Sequence, residues 1–170
     1  MSDILYIVVP CYNEQEVLPE TSKRLYDKMT ALREQQKIDE KSRILFVNDG
    51  SKDATWRLIE ELCAKSSLYA GVNLSRNRGH QNALLAGIAT AAPHADMIVS
   101  MDADLQDDIN AMDEMIAAYQ AGNDVVYGVR SSRQKDSFFK RNSAQLFYRL
   151  MKLLGAEIVY NHADYRLLSK

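Results

Sequence analysis

No apolar run in these 170 residues is long enough to cross a membrane. The longest, Ala83 to Ala92, is broken by Gly87 and Thr90, and a span needs roughly 20 apolar residues. Cysteine is scarce. Cys11 and Cys63 are the only two, which argues against a disulfide framework and fits reduced thiols in a cytosolic protein. No basic stretch precedes an apolar core at the N-terminus, so no signal peptide is expected. Nothing reads as low-complexity or disordered, and no internal repeat is visible. Two phosphate-binding devices are missing as well. There is neither a Gly-x-Gly-x-x-Gly nor a Gly-x-x-x-x-Gly-Lys-Ser/Thr.

What is present fits one domain, residues 1–170, with a sizeable core. The net charge is only −2, but it is unevenly placed: Arg130 to Lys152 holds seven Lys or Arg against one acid, Asp136, a local +6 that leaves −8 for the rest. Such an asymmetry points to an anionic partner for that segment, or to a solvated helix face.

Ile4 to Val9 is a continuous apolar run, read as a buried strand that Pro10 stops. Val17, Leu18, Thr21, Leu25, Met29 and Leu32 then recur at helical spacing, with Pro19 in the first turn, where its missing N–H costs little. Ile44 to Val47 is a second strand, followed by the turn Asn48-Asp49-Gly50-Ser51 and a helix with Trp56, Ile59, Leu62 and Cys63 on one face. Tyr69 to Leu74 is a third strand, Ser75 to His80 a loop and Gln81 to Ala92 a helix of small residues. The fourth strand runs from Ile98 into Asp102 and Asp104. Ile109 to Ala121 is a helix ended by Gly122-Asn123, and Val125 to Val129 is a fifth strand. Phe138 to Leu154 reads as an amphipathic helix, and Glu157 to Tyr160 as a short strand. Strands alternating with helices predict an α/β fold, a mainly parallel sheet flanked by helices on both faces.

In such sheets ligands bind outside the carboxyl ends of the strands. Five strand ends each deliver polar groups there: Tyr12-Asn13-Glu14, Asp49-Gly50, Asn77-Arg78-Gly79, Asp102-x-Asp104 and Arg130. Along a strand Asp102 and Asp104 share a face. Two carboxylates so held suit Mg²⁺ or Mn²⁺, which take further ligands from water and a substrate diphosphate. With fourteen Asp in the chain, about one Asp-x-Asp arises by chance, so the shared edge carries the argument rather than the motif. Glu14 and Asp49 can accept hydrogen bonds from a ribose or a base N–H. Taken singly, Asp49-Gly50 is also an ordinary turn pair, and Glu14 also complements a helix N-terminus. Together they suggest metal-assisted departure of a nucleoside diphosphate.

Four ordered segments resemble the inverting family 2 glycosyltransferases: Val8-Val9-Pro10-Cys11-Tyr12-Asn13-Glu14, Val47-Asn48-Asp49-Gly50-Ser51-Lys52-Asp53, Ser75-Arg76-Asn77-Arg78-Gly79, and Met101-Asp102-Ala103-Asp104-Leu105-Gln106-Asp107. Arg130-Ser131-Ser132-Arg133 and Ala163-Asp164-Tyr165-Arg166-Leu167-Leu168-Ser169 resemble the polyprenyl-phosphate branch, which includes bactoprenol glucosyltransferases and dolichol-phosphate mannose synthases. The resemblance implies a Rossmann-like fold of the glycosyltransferase A type. It implies that Pro10, Tyr12, Glu14 and Asp49 hold the nucleoside, with Asn77, Gly79 and Asp102 counted in the nucleotide site, and that Asp102 and Asp104 hold the metal with Gln106 nearby. Arg130 and Arg133 would meet phosphates. Asp164 matches the acid proposed as base. A lipid phosphate is mostly ionised at neutral pH, its second pKa being about 6, so two other roles are open to Asp164: orienting the acceptor or pairing with Arg166. Many family members carry Lys at the position of His80, to which no role is assigned.

The expectation is therefore metal-dependent transfer of a sugar from a nucleoside diphosphate, UDP before GDP, to a polyprenyl phosphate with inversion. The setting is the cytoplasmic membrane surface. Alternatives are a saccharide acceptor, as in capsule synthesis, or a nucleotide-binding module without transferase activity. No nucleic acid partner is expected, and a homo-oligomer is possible. Members of the branch continue into further helix and membrane spans, so this chain is expected to be C-terminally incomplete and itself soluble.

Overall fold

The computed structural model describes residues 2–129 and 162–170. The elements are β1 (Leu5–Cys11), α1 (Leu18–Glu34), β2 (Arg43–Asn48), α2 (Thr55–Lys65), β3 (Tyr69–Asn73), α3 (His80–Ala91), β4 (Met97–Ser100), α4 (Met112–Gln120), β5 (Val125–Val129) and β6 (His162–Ser169). They build a six-stranded sheet in the order β3-β2-β1-β4-β6-β5. β1 pairs in parallel with β2 and β4, and β2 with β3. β6 lies antiparallel between β4 and β5. The expected helix Phe138–Leu154 and strand Glu157–Tyr160 lie outside the described residues.

Two apolar layers enclose the sheet. On one face Leu5, Ile7, Val9, Phe46, Met97 and Val99 pack with Leu18, Leu25 and Met29 of α1, Ile59 of α2 and Met112 and Ile116 of α4. On the other, Val8, Leu45, Val47 and Ile98 pack with Ala83, Leu84 and Ala91 of α3. The alternation along β1 is the period of two that a pleated strand imposes. The small residues of α3 have a purpose. A Cβ on Gly87 would lie 2.4 Å from Val8 Cγ1 and 2.8 Å from Val47 Cγ2, so the helix sits on the sheet only because that position has no side chain.

The structure departs from the sequence reading at three points. First, β1 does not stop at Pro10 but runs through it, with Pro10 opposite Val47 of β2. Cys11 O accepts from Asp49 N at 2.8 Å toward β2, whereas Val8 O accepts from Met101 N at 3.2 Å toward β4. The next donor toward β4 would be the N–H that proline lacks. β1 therefore keeps β2 as a partner and releases β4 after Ser100. Second, Asp102 and Asp104 consequently lie beyond the strand, in a turn where Leu105 has φ 60°. Alternation persists all the same: Met101 and Ala103 are buried in the core, and the two acids are not. Third, the Ala163–Ser169 segment is itself most of a strand, β6, with Tyr165 and Leu167 buried.

Candidate functional site

β2 lies on one side of β1 and β4 on the other, so the strand order reverses at β1. That reversal opens a crevice at the carboxyl ends of the parallel strands. The loop after β1 and the turn after β4 flank it.

On the β1–β2 side, two loops hold each other through side chains. Asn13 N donates to Ser51 Oγ (3.0 Å), and Asn13 Oδ1 accepts from Lys52 N (2.9 Å). Glu14 N donates to Thr55 Oγ1 (2.8 Å), and Gln15 exchanges hydrogen bonds with Asp53 and Ala54. Asn13 takes a left-handed φ of 57°, which asparagine tolerates. These bonds fix the backbone of Asn13 to Gln15 against the loop after β2, while Pro10 is buried and Tyr12 remains 42% exposed.

Asp49, only 2% exposed, has its carboxylate engaged by backbone: Oδ1 accepts from Arg78 N (2.6 Å) and Oδ2 from Gly79 N (2.9 Å). It therefore fastens the loop before α3. Asn77 is exposed on that loop, and its Oδ1 accepts from Gly79 N at 3.1 Å.

On the β4 side, Thr21 Oγ1 of α1 donates to Ala103 O at 2.7 Å, which pins the residue between the two acids. Asp104 Oδ1 accepts from Gln106 N (3.1 Å), an Asx turn closing on itself. Asp108 Oδ1 accepts from Asn110 N (2.9 Å), starting the turn of 3-10 helix that leads into α4. Tyr165 of β6 reaches over to donate its hydroxyl to Asp108 O at 3.2 Å, and burial pushes its own ionisation well up.

The acids across the crevice feel one another. Glu14 has its pKa raised, first by burial and then by the charges of Asp104, Asp53 and Asp102. Carboxylates at the ends of β1 and β4 are thus brought together, as the pattern of strand ends requires. His80, the first residue of α3, holds Nε2 3.6 Å from Asp102 Oδ1, within ion-pair reach but too long for a hydrogen bond. Asp164 lies on β6. It precedes by two residues Arg166, which pairs with Ser100 at the end of β4. Arg130 and Arg133 lie outside the described residues.

Among the described residues no group of three or more His, Cys, Asp or Glu is assembled to hold a metal by itself. The donor set nonetheless suits a hard divalent ion. Two carboxylates in a pocket of excess negative charge, with diphosphate oxygens and water completing the shell, is how Mg²⁺ is commonly held at phosphate sites.

Thr21 and Thr55 hold the two sides of the candidate site in place, and the sequence reading did not single them out for that. Thr21 stands in the apolar stripe of α1, and a polar residue in such a stripe signals a buried partner.

A mixed sheet with a nucleotide-type crevice and an acidic carboxyl edge is the architecture of the glycosyltransferase A fold, and the comparisons agree. The glycosyl transferase family 2 profile matches residues 6–170. The chain belongs to that family and is a glycosyltransferase domain. It is 50% identical over 167 residues to the uncharacterised glycosyltransferase YkoT of Bacillus subtilis, covering 98% of this chain and 50% of that protein. It is 38% identical to the prophage bactoprenol glucosyl transferase homolog of Escherichia coli, covering 96% and 51%. The chain thus spans about half the length of the curated relatives it matches. Among solved structures, glucosyl-3-phosphoglycerate synthase of Mycobacterium tuberculosis in complex with UDP superposes with a TM-score of 0.61 at 19% identity, covering 98% of this chain and 57% of that one. TarS of S. aureus gives 0.62 at 16% identity, covering 98% and 47%. At such identities these structures support the fold alone.

Proposed function

We propose that this domain, within its whole protein, transfers a sugar from a UDP-sugar to a polyprenyl phosphate with inversion, aided by Mg²⁺ or Mn²⁺, at the cytoplasmic membrane surface. The observation that carries the reading is that Glu14 follows β1 and Asp102 and Asp104 follow β4, its neighbour in the sheet, so all three acids stand at the carboxyl edge of the parallel strands. An edge so acidic repels a bare diphosphate and suits one that arrives with a divalent ion. Relatives named bactoprenol glucosyl transferases, such as that of Shigella phage SfV at 37% identity, support the lipid acceptor. The mycobacterial synthase, which shares the fold, is also solved with Mn²⁺ and UDP, the kind of metal and nucleotide this reading assigns.

In this reading Pro10, Tyr12, Glu14, Asp49, Asn77 and Gly79 form the nucleoside end, and Asp102 and Asp104 the diphosphate end. A phosphate oxygen of the acceptor attacks the anomeric carbon from the face opposite the leaving group. The carbon–oxygen bond to UDP breaks, and the electron pair leaves with the diphosphate. A bound divalent ion supplies Lewis-acid stabilisation of that departing charge. An ionised acceptor has no proton to lose, so Asp164 serves chiefly to orient it. Arg130 and Arg133 hold the acceptor phosphate, and Lys140 and Arg141 help dock the domain to an anionic bilayer.

The test is calorimetry of nucleoside diphosphates and their sugars with and without Mn²⁺, followed by transfer from the bound donor to polyprenyl phosphate by the whole protein. UDP binding and transfer to the lipid support the reading. Transfer to a saccharide instead, or binding without turnover, overturns it. Docking is read by sedimentation with anionic liposomes. Each basic residue near such a surface contributes about 1 kcal/mol, so Lys140→Glu with Arg141→Glu should abolish binding that high salt also releases.

A further inference from the structure

The position of Asp49 gives it a second role beside any contact with the nucleoside. A carboxylate has about four acceptor sites, so Asp49 can serve the protein's own backbone as well as a ligand. Both oxygens accept backbone N–H groups, from Arg78 and Gly79, 29 and 30 residues further along the chain. The neighbouring turn is shaped for the same contact. Gly50 sits at φ 64°, and a Cβ there would lie 2.4 Å from Arg76 C and 2.5 Å from Asn77 N. The turn after β2 and the loop before α3 are therefore in direct backbone contact, with the Asp49 carboxylate as the clasp.

What the clasp holds is the start of α3. Gly79 is the N-cap residue, with φ 88°. Its carbonyl accepts from Asn82 N and Ala83 N at 3.0 and 3.1 Å, the first turn of the helix. The next residue is His80, whose Nε2 stands 3.6 Å from Asp102 Oδ1. A path thus runs from the end of β2, through two hydrogen bonds and one helix cap, to a histidine that stands beside the acid beyond β4. An outer side chain beside a metal-binding carboxylate orients that carboxylate and tunes its affinity.

Resting on the function proposed above, we infer that Asp49 is a positioning residue for the metal end of the site. It fixes Gly79, Gly79 fixes the first turn of α3, and that turn sets His80 against Asp102. Asp49 then couples the nucleoside end to the diphosphate end across one loop, and changing it weakens the help that a divalent ion gives to nucleotide binding.

The experiment is calorimetric titration of UDP with and without Mn²⁺. The quantity read is the ratio of the two dissociation constants, measured for wild type, Asp49→Asn, Gly50→Ala, His80→Ala and the Asp49→Asn/His80→Ala double variant. Asparagine keeps the size of Asp49 but turns an amide N–H₂ toward a backbone donor, so at least one bond of the clasp is lost. Gly50→Ala leaves the carboxylate intact and displaces the loop. The Mn²⁺ enhancement should fall about ten-fold in each single variant, in the usual range for coupling between two sites. The double variant should lose little more than either of its singles, because both act on one path. An enhancement unchanged in Asp49→Asn, with UDP weakened equally in both conditions, would show a carboxylate serving the nucleoside alone and would overturn the inference. Amide exchange without ligand gives a second readout. The Arg78 and Gly79 amides should exchange faster in Asp49→Asn, and the His80 ring resonances should shift. Exchange and ring shifts equal to wild type would also overturn it. Should wild type bind no UDP at all, the proposed function falls, and the ligand-free measurements alone decide whether Asp49 positions His80.

Discussion

The two ends of the crevice are built differently. At the β1–β2 end, residues about forty positions apart exchange hydrogen bonds directly, from Asn13 to Ser51 and Lys52 and from Glu14 to Thr55. At the β4 end, most bonds from the acids are local turns, such as Asp104 to Gln106 and Asp108 to Asn110. One long-range bond, Thr21 to the Ala103 carbonyl, ties that turn to α1. The first end is cross-linked between two loops. The second closes mostly within its own turns, with Asp102 partly exposed and Asp104 exposed to what arrives. A nucleoside is recognised by fixed hydrogen-bonding groups, whereas a metal and a diphosphate bring their own strong field, so the contrast matches the chemistry assigned to each end.

Breaking the second end should have the largest effect on binding. Asp102→Asn or Asp104→Asn should remove the Mn²⁺-dependent part of UDP affinity, a loss of about 100-fold or roughly 2.8 kcal/mol. Thermal stability should hardly change, because neither side chain is in the core. Calorimetry and a melting curve on the same samples check both halves of that expectation.

Thr55→Val attacks the first end. The side chain is fully buried and accepts from Glu14 N. An isosteric valine leaves that N–H without its partner, at a cost of about 1–3 kcal/mol. Denaturant unfolding should show the loss, and UDP binding should weaken with and without Mn²⁺ alike. A loss seen only with Mn²⁺ would blur the division between the ends.

Thr21→Val probes the tie between the second end and α1. Losing a buried hydroxyl bond to the Ala103 carbonyl should cost about 1 kcal/mol of stability. The accompanying fall in nucleotide affinity should appear with Mn²⁺ and vanish without it.

The smallest effect joins the two ends. Glu14 has a folded-state pKa above its ordinary 4.5, so its contribution to stability is full below that pH and is lost as pH rises through the raised value. Glu14→Gln should therefore melt slightly higher than wild type at neutral pH and no differently well below pH 4.5. Mn²⁺ should narrow the neutral-pH gap by screening the acids that cause it. Melting curves across that range decide it.

Much of the framework was legible from local pattern. The apolar runs of β1 and β2 and the stripe of α1 follow from period and burial, and β5 was read at its observed bounds. β6 was missed although its alternation of Tyr165 and Leu167 with Arg166 and Leu168 carries the period of two, because an acid and an arginine stand among the strand residues. The acidic edge was legible because a parallel α/β sheet sends every loop after a strand to one side. The side-chain partners were not. The bonds from Asp49 to Arg78 and Gly79, and the approach of His80 to Asp102, join positions more than twenty residues apart, and no local pattern encodes such pairs. Pro10 misled for a related reason. It ends only the ladder on the side its nitrogen faces, and which strand lies there is a matter of topology.

The central claim is that the acidic edge takes a nucleoside diphosphate through a divalent ion. Titration of UDP into the wild-type domain, with Mn²⁺ and then with chelator in its place, tests it most directly. The account expects saturable binding that tightens at least about ten-fold with Mn²⁺, a gain of roughly 1.4 kcal/mol. UDP affinity that is the same in chelator and in Mn²⁺ would contradict it.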